Sequence, residues 1–239
     1  MTGSYGSESP NRERYRLSFT VGGLLAPQGR IIASFFVGND GAGNGSVTGD
    51  GEDTTRIPNS AVGRSSAGRE VGERVTRIRR RVIDENVLAI RTESANARIV
   101  SEVVKRLSAL TEAEIRHLAE DDVPAADVQA LMWVAMCRYY AVVGEFASEV
   151  LRDRYLMGAM TVSREDYDRF ILSKSMWHSE LEELSDSTAR KLRSNLFKAM
   201  VEAGLLEKDS DTLLPSLLGR TVTDILKERP ESFRFFPMR

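Results

Sequence analysis

Asp186-Ser-Thr-Ala-Arg-Lys-Leu-Arg-Ser-Asn-Leu-Phe-Lys-Ala-Met-Val-Glu-Ala-Gly-Leu-Leu206 is the stretch whose reading decides the fold. Leu192, Leu196, Ala199, Met200 and Ala203 recur at helical spacing and make one apolar face. Asp186 or Ser187 can accept hydrogen bonds from the orphan N–H groups of the first turn. Gly204 stands where a left-handed C-terminal cap is wanted. Thr188, Lys191, Asn195 and Lys198 gather on the opposite face, and from Ser187 to Lys198 there are four basic residues and no acidic one. Just upstream, Ser179-Glu-Leu-Glu-Glu-Leu-Ser185 reads as a short helix. Short helix, polar turn and a second helix with a basic outer face form the helix-turn-helix pattern. Glu202–Leu206 followed by Glu207–Leu214 predicts a short hairpin, which would make this the winged variant. The competing reading is an amphipathic core helix whose polar face is simply solvated.

A second candidate lies in the first half. Val71, Val75, Ile78 and Val82 form an apolar stripe, with Arg74, Arg77 and Arg81 on the other side and Arg80 beside them. Arg91-Thr-Glu-Ser94 supplies a turn and cap. The helix after it turns Ala95, Ile99, Val103, Leu107 and Leu110 inward and Ser94, Arg98, Ser101 and Lys105 outward. Here the competing reading is four arginines that are solvated or paired with Glu70, Glu73 and Asp84.

The chain has 239 residues with a formal net charge of −2, so any nucleic-acid contact must come from local charge segregation. Positive charge gathers at 64–81 and 187–198, negative charge at 112–127 and 180–186. The one cysteine, Cys137, lies in an apolar helix, excludes an internal disulfide and fits a reducing cytoplasm. The longest apolar run, 130–137, is stopped by Arg138 and falls short of the ~20 residues that span a bilayer. His117 and His178 lack metal-ligand spacing to another His or Cys. No phosphate loop, Gly-x-Ser-x-Gly or Cys-x-x-Cys occurs, so neither an enzyme nor a cofactor is expected.

In order, the expectations are a disordered tail at 1–14 and two short helices at 16–37, broken near Pro27 and Gly29. Gly22-Gly23 should allow close packing. A Gly-rich flexible insertion follows at 38–71, with helices resuming from Ala67. An N-terminal helical region would comprise 15–37 and 72–160, and a C-terminal helix-turn-helix region 161–239. Phe233, Phe235, Phe236 and Pro237 should dock the C-terminus on the body.

Several stretches together resemble the BrxA family of bacterial BREX (bacteriophage exclusion) phage-defence systems. They are Leu17-Ser-Phe-Thr-Val-Gly-Gly-Leu-Leu25, Glu85-Asn-Val-Leu88 with Arg91-Thr92, Arg106-Leu-Ser-Ala-Leu-Thr111 and Trp177-His-Ser-Glu-Leu181. Asp186-Ser-Thr188 with Lys191-Leu-Arg193, Glu202-Ala-Gly-Leu-Leu206 and Phe235-Phe-Pro237 complete the set, whose order and spacing carry the likeness. The insertion at 38–71 departs from the family pattern, where a much shorter connection is expected. The resemblance implies an all-α protein with helix-turn-helix elements that binds double-stranded DNA without catalysis. It also implies work beside other BREX proteins, including a DNA methyltransferase.

The expectation is therefore a compact, cytoplasmic, all-α protein with two helix-turn-helix-like elements and no membrane contact. Its DNA-contacting set would be Arg74, Arg77, Arg80, Arg81, Ser94, Arg98 and Lys105, with Thr188, Arg190, Lys191, Asn195 and Lys198. The alternative is a helical adaptor that assembles the complex without touching DNA. A monomer is favoured, with the oligomeric state open.

Overall fold

A computed structural model describes residues 15–17, 19–38 and 63–238, with the backbone alone for 63–71. The tail at 1–14 and residues 39–62 of the insertion lie outside the described residues. The helix after the insertion begins at Gly63, earlier than its apolar stripe announces.

The all-α expectation holds. Ala125–Tyr139 (α5) is the axis of the fold: Leu131 through Met136 are each fully buried, so this helix meets protein on every side. Ala26–Val37 (α1), Glu93–Leu107 (α3), Glu112–Leu118 (α4) and Ala141–Phe146 (α6) pack around it, while Gly63–Asp84 (α2) lies on α1 and α3. α6 runs on through a π-helical segment, Ala147–Arg152, into Asp153–Leu156 (α7). Arg164–Ser175 (α8), Ser179–Glu182 (α9) and Asp186–Glu202 (α10) follow. Arg220–Leu226 (α11) and a 3-10 turn at Pro230–Phe235 end the chain. Phe235 and Phe236 are buried as expected, and the Trp133 indole N–H donates to the Phe235 carbonyl at 2.9 Å.

Two local expectations change. Residues 26–37 are one helix, not two: Pro27 occupies the first turn, where its missing N–H has no intrahelical role. Gly29 is buried against Met132, whose thioether would collide with a β-carbon there. The described residues before Ala26, 15–17 and 19–25, form no helix and make a strap that turns at Gly22 and Leu25, both left-handed. On α3 the inward set is Asn96, Val100, Val103, Val104 and Leu107, together with a charged pair, Glu102 and Arg106. Arg106 is fully buried yet fully used. Its guanidinium donates to the carbonyls of Gly23 (2.8 Å) and Leu24 (3.0 Å) in the strap and to Glu102 at 2.8 Å. Tyr140 donates its hydroxyl to the same carboxylate at 2.6 Å. Their spacing from Ile99 and Val103 puts them on the inner side of the helix despite their charge, and these partners satisfy them there.

The other buried polar groups are structural. Glu114 closes the capping box with Thr111 and holds Arg138 with both oxygens, at 2.6 and 2.8 Å. His117 sits between Glu120 and Asp127 at 2.7 and 3.0 Å, and His178 stacks on Tyr15 with ring centroids 3.8 Å apart. Burial pushes the Cys137 thiol well above its ordinary range, which leaves it inert.

Candidate nucleic-acid interface

Ser185, one residue before the expected cap, starts α10 by accepting from the Thr188 N–H at 3.3 Å. Leu192, Leu196, Phe197, Ala199 and Met200 are buried, and Gly204 takes the left-handed conformation (φ 69°) that ends the helix. The chain then turns back: Leu206 bridges Leu213, the Leu214 N–H donates to the Leu205 carbonyl at 2.9 Å, and Glu207 N–H to Thr212 at 2.9 Å. The segment between α7 and α8 joins this hairpin, with the Val162 N–H donating to Asp211 at 2.9 Å and the Leu213 N–H to Met160 at 2.8 Å. Lys208 is exposed at the hairpin tip.

The outward face of α10 differs by one position from the sequence expectation. Ser187, Lys191, Ser194 and Lys198 are exposed at i, i+4, i+7 and i+11, with exposed Arg190 beside them. Thr188 and Asn195 are half-buried. The strap explains why: Asn195 donates its amide to the Phe19 carbonyl at 3.0 Å, and Glu202 accepts the Leu24 N–H. A β-carbon at Gly23 would collide with that Glu202 carboxylate, so the close packing expected of Gly22-Gly23 is real at Gly23. Asn195 is therefore occupied, whereas Lys191 and Lys198 are exposed, Lys198 with a long pair to Glu202. A groove of about 700 Å³ separates α10 from the hairpin, with Arg164, Ser194, Lys198 and Lys208 among its walls. Its acids are Glu202, Asp209 and Asp211, of which Asp211 faces Arg164 at 3.3 Å and Glu202 faces Lys198 at 3.7 Å. Such exposed pairs are worth about 0–1 kcal/mol and exchange readily for another anion.

The first-half set divides. Arg77, Arg80, Ser94, Arg98 and Lys105 are exposed. Arg81 is committed to Glu85 at 2.8 Å and lies over the Phe35 ring, and Arg74 is half-buried and donates to the Phe36 carbonyl at 2.5 Å. Thr92 caps α3, as expected. The two basic sets stand on different helices, one on α2 and α3, which pack on one another, and the other on α10. No His, Cys, Asp and Glu grouping among the described residues could hold a metal ion, and no helix there is long and apolar enough to cross a membrane.

The BrxA family profile matches residues 69–230, from the first third of α2 to the start of the final 3-10 turn. The chain belongs to the BrxA family. That membership ties it to BREX phage-defence systems. It is 25% identical over 130 residues to the BREX protein BrxA of Bacillus cereus (strain H3081.97), covering 54% of this chain and 64% of that one. The BREX protein BrxA of Escherichia coli O9:H4 (strain HS) is 26% identical over 126 residues, 53% of this chain and 58% of that one. The matched region thus spans less than two thirds of these curated relatives. A crystal structure of an uncharacterized protein from Magnetospirillum magneticum superposes with a TM-score of 0.67 at 19% identity, over 94% of this chain and 99% of that chain. At that identity the likeness speaks for the fold alone. The strap at 15–25 lies outside the stretch matched by the BrxA profile.

Ser187, Ser194 and Lys208 escaped the sequence reading. The two serines were legible in principle, because they share the spacing of Lys191 and Lys198. What selects that stripe over the neighbouring one is the strap, which periodicity does not register.

Proposed function

We propose that this protein binds double-stranded DNA for a BREX phage-defence system, without catalysis of its own. One observation carries the reading: α10 presents Ser187, Lys191, Ser194 and Lys198 in a single exposed row beside a hairpin carrying Lys208. In this reading the order α6–α7, bridging segment, α8, α9, α10, hairpin serves as a winged helix, with α10 in the recognition position. Lysines neutralise phosphates, the serines donate to phosphate oxygens, and the N-terminus of α10 adds backbone N–H groups. Arg77, Arg80, Arg98 and Lys105 extend the basic surface on α2 and α3. Base reading is weak, because Asn195, the amide best suited to adenine, is bonded to the strap. Other BREX proteins, a DNA methyltransferase among them, are the partners in this reading, and the cytoplasm is its location.

A duplex titration at several salt concentrations tests the proposal. Neutralising roughly four to six phosphates gives a slope of log K against log salt near −4 to −5. Lys191→Glu with Lys198→Glu weakens binding and reduces the slope by about 2, with unchanged circular dichroism. A double variant that binds like the parent removes α10 from the interface. The second reading is then an adaptor without DNA contact, favoured by the net charge of −2.

A further inference from the structure

At the end of α8, Leu172, Met176 and Trp177 stand out of the surface at 71%, 78% and 75% exposure. Single exposed apolar residues are ordinary, but these follow at i, i+4 and i+5 and form one knob. The strap begins against it. The Tyr15 ring stacks on His178, the residue after Trp177, with centroids 3.8 Å apart. Its hydroxyl donates to Glu145 at 3.0 Å and its backbone N–H to Glu180 at 3.3 Å. Residues 1–14 therefore join the described chain at the foot of the knob.

The surface there holds more acid than base. Lys174 is shared by Glu145 and Glu149, at 2.8 and 2.7 Å, so one cation serves two carboxylates. Glu182 and Glu183, at the end of α9, are exposed and make no ion pair among the described residues. Arg16, the strap's own described cation, lies over the Tyr139 ring at 5.1 Å. Ahead of Tyr15 the sequence reads Pro10-Asn-Arg-Glu-Arg14. In an extended chain alternate residues share a side, which would put Arg12 and Arg14 together and Glu13 opposite. Each residue spans at most ~3.3–3.6 Å, so Arg12 is held within about 11 Å of Tyr15. Guanidinium groups stack on indole and their stems cover apolar surface, which suits a polar segment to an aromatic knob.

We propose that residues 10–14 of this chain cover the knob, with Arg12 and Arg14 against the Trp177 indole and the unpaired Glu182 and Glu183. Joined to the site through Tyr15, the segment meets it at an effective concentration in the mM range, so a weak contact suffices. Because the occupant belongs to the same chain, the cover is independent of protein concentration, and its ionic part weakens with salt. It needs no DNA and stands independently of the function proposed above.

The sequence holds two tryptophans, and Trp133 is fully buried, so quenching by acrylamide, an uncharged probe, reports Trp177. Replacing residues 1–14 with a single Met should raise the quenching, and Arg12→Ser with Arg14→Ser should raise it part of the way. Each stacked arginine should shift the ratio of covered to open knob by roughly 2–5-fold. Added salt should raise quenching in the parent and leave it unchanged in the shortened chain. Circular dichroism should be the same for all three, and if the shortened chain does not fold, the arginine pair decides alone. Equal quenching in the parent and the Arg12→Ser, Arg14→Ser variant overturns the proposal and gives the knob to a different protein. Quenching that falls as protein concentration rises also overturns it, in favour of a second copy.

Discussion

Replacing Arg106 with methionine keeps the aliphatic stem and removes five hydrogen bonds at once. Two go to the Glu102 carboxylate (3.0 and 2.8 Å) and three to strap carbonyls, Gly23 at 2.8 Å, Leu24 at 3.0 Å and Val21 at 3.4 Å. Glu102 is 4% exposed, so its charge would be left with the Tyr140 hydroxyl alone. Removing one partner of a buried ion pair costs about 3–5 kcal/mol. Each buried carbonyl left unbonded costs ~1–3 kcal/mol, a loss that overlaps the first as the strap relaxes. About 5 kcal/mol is expected in all, a large part of the ~5–15 kcal/mol that holds a domain together. At ~2–4 °C per kcal/mol the melting temperature falls by roughly 10–20 °C. Urea unfolding followed by circular dichroism measures the loss, with Glu102→Gln and the double variant completing a cycle. Adding Glu102→Gln to Arg106→Met should restore about 2 kcal/mol, because a neutral amide needs no cation. The reasoning fails if Arg106→Met costs less than about 1 kcal/mol or if the double variant is no more stable than the single one.

Gly144→Ala places a β-carbon 2.5 Å from the Cys137 carbonyl oxygen at the joint between α5 and α6. Backbone cannot yield as a side chain can, so a loss of about 1–3 kcal/mol in urea melts is expected. Asp166 titrates below the ordinary carboxylate range: burial pushes it up, but the Ser163 N–H, Arg154 and Arg169 outweigh that. Its contribution is complete above the unfolded value of about 3.9 and fades as pH falls toward the folded value. The acid limb of stability should therefore flatten below about pH 4 in Asp166→Asn, and an unchanged limb would deny the carboxylate that role. Cys137 should resist a thiol reagent until the chain unfolds, and stoichiometric labelling of the native protein would contradict its burial.

Where a residue's fate is set by its own helix, the sequence already carried the answer. The caps at Thr92 and Thr111, the left-handed Gly204, the apolar run of α5 and the docking of Phe235 and Phe236 follow from local pattern. So does α10 itself, to within one residue of its cap. What stayed illegible depends on partners far along the chain. Arg106 and Glu102 enter no inward set read from the sequence, because their burial depends on the strap's carbonyls, and Asn195 looks like a reading group until Phe19 takes its amide. Pro27 reads as a breaker or an opener alike, and the length of helix after it decides between them. The basic set divides for a similar reason: α1 places Phe36 beside Arg74 and Phe35 beside Arg81, which also pairs with Glu85.

The strap also imposes an order on synthesis. Phe19 emerges 176 residues before Asn195, the side chain that fixes its carbonyl. At ~5–20 residues per second, that is roughly 9–35 seconds during which Phe19 and Leu24 lack part of their final cover. The earlier half can gather around α5 in that interval, since Arg106 is made long before α10. Seating of the strap against Asn195 and Glu202 has to wait for the far end of the chain. A ribosome that stops before residue 195 therefore releases a product with an unclosed apolar seam, which proteases and chaperones recognise. The row of lysines on α10 comes to be displayed beside a seated strap only in chains whose translation has passed Glu202.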